Sequence, residues 1–136
     1  MENEGVSLIA AMAERDREAI AGMVADDVVF HGPASAYEGR EQVVEVLAIG
    51  GGVLQGLAAA REPATIGHGE TLTLIEASVE GEQLHGVLLE RTDEAGRVAE
   101  VTILLRPLGP LQTAIRHIAR GMAEGGGPGR MTRREP

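Results

Sequence analysis

The chain has 136 residues and contains neither cysteine nor tryptophan. Without cysteine there is no disulfide, no thiolate zinc site and no nucleophilic thiol, and a reducing cytoplasm is the expected location. Aromatic residues number two, Phe30 and Tyr37. Core volume must then come from Leu, Ile, Val, Met and Ala, and any pocket must be aliphatic, with little means of stacking on a flat ligand. Positive charge is also scarce: 12 basic against 21 acidic residues give a formal charge of −9. A nucleic-acid binder needs a basic face, and the only basic cluster, GRMTRREP, is short and lacks aromatics, so no nucleic-acid partner is expected. Long apolar runs are missing as well. The early run LIAAMA is broken by Glu14, Arg15 and Asp16, so neither a secretory signal nor a membrane partner is expected.

What is present reads as one domain over residues 1–123, with residues 124–136 as a tail that has nothing to bury. Ser7 and Asp16 can cap two short helices, whose stripes are Leu8, Ile9 and Met12, then Ile20, Met23 and Val24. Residues 28–31 predict a short strand, and GPASAYEG a loop. REQVVEVLAI returns to helical spacing, and the triple glycine Gly50–Gly52 is expected to end or fray that helix. From about Leu57 the pattern becomes β: ATIGHG, ETLTLIEASV, EQLHGVLLERT and RVAEVTILLR, with VEGEQ and TDEAGR as hairpin connections. Pro107, Gly109 and Pro110 stop the last strand, and Leu111, Ile115, Ile118 and Met122 form the stripe of a terminal helix. Helices followed by strands predict an α+β fold, a curved, mostly antiparallel (mixed) sheet wrapped around the N-terminal helices as a cone.

Four pieces in order, AMAERDREAIAGMVADDVVFHGP, YEGREQVVEVL, DEAGRVAEV and LLRPLGPLQ, resemble the nuclear transport factor 2-like superfamily in its SnoaL-like branch, over most of residues 7–120. Small bacterial members whose last strand ends in Arg-Pro-Leu are especially similar. The resemblance implies a cone-shaped pocket and a homodimer through the outer sheet face. It does not imply one activity, because the superfamily includes isomerases, cyclases, epoxide hydrolases and non-catalytic association domains. The isomerase base falls on Gly32, and its two oxyanion donors fall near Leu8 and Leu88. ERTD, Glu90 to Asp93, echoes half of an epoxide hydrolase arrangement, but the second acid falls near Ile103. No intact catalytic constellation is recognised.

The expected pocket wall is therefore aliphatic: Leu8, Met12, Phe30, Leu88, Ile103 and Leu105, with Tyr37 either gating the mouth or, as packing favours, covering the loop. His31 is the one candidate catalytic group, a base or acid near neutral pH if it points into the cone. Of the other histidines, His85 is expected to face away from Leu88, His68 to sit in a loop and His117 to face solvent. No two histidines stand at metal-ligand spacing, so no metal or cofactor is expected. Arg106 is expected to pair with an acid such as Glu100 or with a ligand carboxylate. Three functions follow: a pocket for a small apolar ligand, an isomerase, cyclase or epoxide hydrolase using His31, or a homodimeric association module.

Overall fold

Two side-chain caps start the chain's described part. The computed structural model describes residues 7–125. Ser7 Oγ accepts from the Ala10 N–H at 3.1 Å and opens α1 (Leu8–Ala13). Asp16 Oδ1 does the same for Ala19 at 3.1 Å and opens α2 (Arg17–Met23). Each cap satisfies an N–H that helix geometry leaves without a partner. β1 (Val24–His31) begins earlier than the β-forming run alone suggests, taking Val24 from the helix stripe. Its pairing register shifts between Val24 and Val29, and the exposed Asp26 and Asp27 lie in that irregularity, where their poor strand propensity does little harm.

The expected loop after β1 contains a short edge strand, β2 (Ala36–Glu38), and α3 (Arg40–Val53) follows. α3 runs straight through Gly50–Gly52 rather than ending there. The reason is tertiary. A Cβ on Gly51 would lie 1.7 Å from the Met12 carbonyl oxygen, so α1 crosses α3 at backbone contact where only glycine fits. The crossing supplies packing that outweighs the poor helix propensity of the triplet.

β3 (Gln55–Ala59), β4 (Ala64–Gly67), β5 (Glu70–Val79), β6 (Glu82–Thr92) and β7 (Val98–Arg106) complete one sheet, in the order β2-β1-β7-β6-β5-β3, with β4 also on β5. The β1–β7 pair is parallel and the others are antiparallel. Glu80 and Gly81, both with positive φ, make the tight β5–β6 turn, as a two-residue hairpin requires. Register shifts in four of the strand pairs bend the sheet. The result is α+β with a mixed, curved sheet that does not close into a barrel.

Period-two alternation sorts the faces. Val28 and Phe30, Val101 and Ile103, Leu84 and Leu88, and Thr73, Ile75 and Ala77 are all buried on the concave side. α4 (Leu108–Gly125) then packs on α3 and across the sheet. It begins before the expected Leu111, because Pro110 is tolerated in a first turn, where its missing N–H has no partner to lose. α4 also continues past Ala123 to Gly125. The rest of the expected tail lies outside the described residues.

Candidate functional site

A cavity of about 90 Å³ lies between the concave sheet, α3 and α4. The sheet side is formed by Phe30, Ile103 and Leu105, with Met12 of α1 behind them. α3 contributes Val46, Leu47 and Gly50, and α4 contributes Leu111, Ala114, Ile115 and Ile118. The β1–β2 connection, from Gly32 to Ser35, lines it together with Tyr37, and exposed Pro33, Ala34 and Ser35 mark its solvent side. That connection is tied by the Gly32 N–H donating to the Ser35 carbonyl at 2.8 Å. Tyr37 stacks on Phe30 with ring centroids 6.3 Å apart. Leu8 and Leu88 are buried in the adjoining core but do not reach the cavity.

His31 stands on the other face of the sheet. It is in register with Thr102, one residue beyond the inward pair Phe30 and Val101. Alternation along the strand then turns its ring away from the concave side. His31 Nε2 donates to Glu100 Oε2 at 2.7 Å, and Arg91 grips Glu100 Oε1 through Nε at 3.1 Å and Nη2 at 2.9 Å. The hydrogen bond from His31, and then those from Arg91, hold the Glu100 carboxyl below the ordinary carboxylate range, with partial desolvation opposing them. The side chains are 38–46% exposed, so each pair contributes only ~0.2–1 kcal/mol. Arg106 does not reach Glu100 and makes no ion pair with a described residue. It lies opposite His85, which is exposed as expected. His68 lies exposed in the β4–β5 turn. His117 does not simply face solvent, because its Nε2 donates to Glu80 Oε2 at 2.8 Å and ties α4 to the β5–β6 hairpin.

Glu90 is a polar group that sequence patterning underrated. It is in register with buried Val101 and with Thr71, on the side of the sheet opposite Arg91. Burial pushes its carboxyl pKa up from 4.5. The signal was the two-residue step from Leu88 to Glu90, which puts both on one face. Glu90 is not part of the cavity wall. Among the described residues, no group of three His, Asp or Glu side chains is placed to hold a metal ion, and no helix is long and apolar enough to cross a membrane.

A mixed, curved sheet bent over helices and not closed into a barrel, with α4 packed across it, defines an α+β domain of the cone-shaped kind. The chain belongs to the SnoaL-like domain family, whose sequence model matches residues 6–104. No curated protein matches the chain. Among solved structures it is similar to a conserved bacterial protein with a cystatin-like fold from Silicibacter pomeroyi, at 21% identity, 92% coverage of each chain and a TM-score of 0.79. A steroid delta-isomerase from Pseudomonas aeruginosa is similar at 23% identity, 85% coverage of each chain and a TM-score of 0.76. A de novo designed protein with a curved β-sheet shares 14% identity, with 83% of this chain and 88% of the design covered and a TM-score of 0.68. Such likenesses establish the nuclear transport factor 2-like fold; activity has to be argued from the site.

Proposed function

We propose that this domain holds a small apolar molecule in the aliphatic cavity under α4 and performs no chemistry on it. One observation carries the reading: among the described residues the cavity wall has no carboxylate, imidazole, amide or amine, and its polar side chains are the hydroxyls of Ser35 and Tyr37. Proton transfer next to a carbonyl needs a base within hydrogen-bond reach and donors for the oxyanion. His31, the candidate base, would have to act through the sheet. The wall offers apolar contact instead. A cytoplasmic location belongs to the same proposal.

Xenon tests it, because dry apolar cavities take up xenon without any polar contact. Methyl NMR under xenon pressure should shift Ile103 and Ile118 while leaving exposed Ile66 unmoved. Unshifted cavity methyls would remove the reading.

A specific observation also favours a homodimer through the outer sheet face. Leu74, Val87 and Leu104 form one row across β5, β6 and β7 on the convex side, and Leu104 is 56% exposed. Leu72 and Leu89 form the next row. Contiguous exposed apolar side chains on a sheet mark an interaction surface. Sedimentation should show a dimer at micromolar concentration, and a monomer at every concentration would rule it out.

A further inference from the structure

We infer that the molecule entering the cavity is a short, uncharged aliphatic alcohol or ketone, with its oxygen turned toward Ser35 and Tyr37, and that Gly50 and Ala114 set its size. This rests on the pocket reading above and adds the chemistry of the occupant.

Size comes first. A dry cavity of ~150 Å³ accepts benzene. The cavity here is about 90 Å³. Scaled from benzene's six carbons, it has room for about four heavy atoms. A ring system of the steroid type does not fit while α4 is in place.

Charge comes second. A carboxylate or ammonium group drawn into this wall would lose its hydration and meet no counter-ion, since among the described residues no Asp, Glu, Arg or His lines the cavity. A hydroxyl or carbonyl needs only one partner. Both hydroxyl side chains on the wall lie at the mouth, Ser35 in the β1–β2 connection and Tyr37 on β2. Met12, Leu47 and Leu54 line the cavity too and are buried, so the wall away from solvent is apolar. The occupant's carbon end therefore points inward and its oxygen outward.

The two small residues are where the wall recedes. Gly50 on α3 and Ala114 on α4 both line the void, and Ala114 is 1% exposed. A Cβ on Gly50 would meet Ile118 Cδ1 at 3.8 Å, an ordinary contact. Space, not strain, is what Gly50 provides there. It differs from Gly51, where the backbone of α1 forbids a side chain.

The test is a methyl-NMR titration of the purified chain with 1-propanol, acetone, propionate and phenol, read at Ile103, Ile115 and Ile118. The inference expects saturable shifts with 1-propanol and acetone, and propionate at least about tenfold weaker. Equal or tighter binding of propionate, or tighter binding of phenol, overturns the proposed class while leaving the pocket intact. No response to any probe overturns the pocket reading as well. Ala114→Leu should abolish the propanol response. Gly50→Ala, which the packing accepts, should weaken it several-fold and keeps the test open if the leucine variant fails to fold. Unchanged propanol binding in Gly50→Ala removes the size-setting role.

Discussion

Adjacent glycines in α3 have opposite demands placed on them. Gly51→Ala puts a methyl group into the Met12 carbonyl, which cannot retreat without moving α1. It should destabilise by at least ~1–3 kcal/mol, the usual range for overpacking. Gly50→Ala meets only a side-chain contact and removes a flexible residue from a helix interior, so it should be neutral or stabilising by up to ~1 kcal/mol. Urea midpoints of the two variants should move in opposite directions or leave Gly50→Ala unmoved. Two glutamates on neighbouring strands show a similar contrast in pH dependence. Glu90 has a raised pKa in the folded state, so its ionisation opposes folding increasingly as pH rises from 4.5 through the folded value. Glu90→Gln should stabilise at pH 7 and lose that advantage below 4.5. Glu100 has a lowered pKa, so its contribution is present above 4.5 and disappears as pH falls through the folded value. Glu100→Gln should cost up to ~1 kcal/mol at pH 7, given the exposure of its partners, and little in acid. Melting temperatures across pH 3–7 separate the two signs.

At the scale of elements, α4 decides what kind of cavity the cone has. Its apolar stripe fills the open end with Leu111, Ala114, Ile115 and Ile118, and Gly121 lets it approach Ile49 of α3 closely. The stripe was legible from residue spacing. Its target was not, because periodicity names the face a helix buries and says nothing of the surface that receives it. The His117–Glu80 pair holds the outer side of α4 to the β5–β6 turn. Being exposed, it should contribute only ~0.2–1 kcal/mol. His117→Ala should therefore leave the global melting temperature nearly unchanged and speed hydrogen exchange in the C-terminal turns of α4. A large loss of global stability would mean that the pair carries more of the docking than its exposure allows.

Across the whole molecule, the concave and convex faces of one sheet divide the candidate functions. The concave side holds the void, and the convex side presents the Leu74–Val87–Leu104 row and the His31–Glu100–Arg91 cluster. Leu104→Glu adds a charge to an exposed position, so a monomer should tolerate it within ~0.5 kcal/mol. A dimer packed on that row should instead dissociate, with a sedimentation coefficient falling to that of the single chain. An unchanged dimer would place the interface elsewhere.

The sequence by itself determined the α+β class, the caps at Ser7 and Asp16, the alternation of β5–β7 and the aliphatic character of any pocket, because these follow from local propensity and from side-chain periods of 3.6 and 2. Only the tertiary structure decided that His31 and Met12 would end on different sides of the sheet. Alternation puts His31 and Phe30 on opposite faces, but the packing of the helices against the Phe30 face, which no local pattern specifies, decided which face holds the cavity. Tertiary contact also kept α3 helical through three glycines, since the close approach of Met12 lies far away in sequence. The same applies to the cavity itself: its size is what remains after α4 has docked, a volume fixed by packing between distant elements.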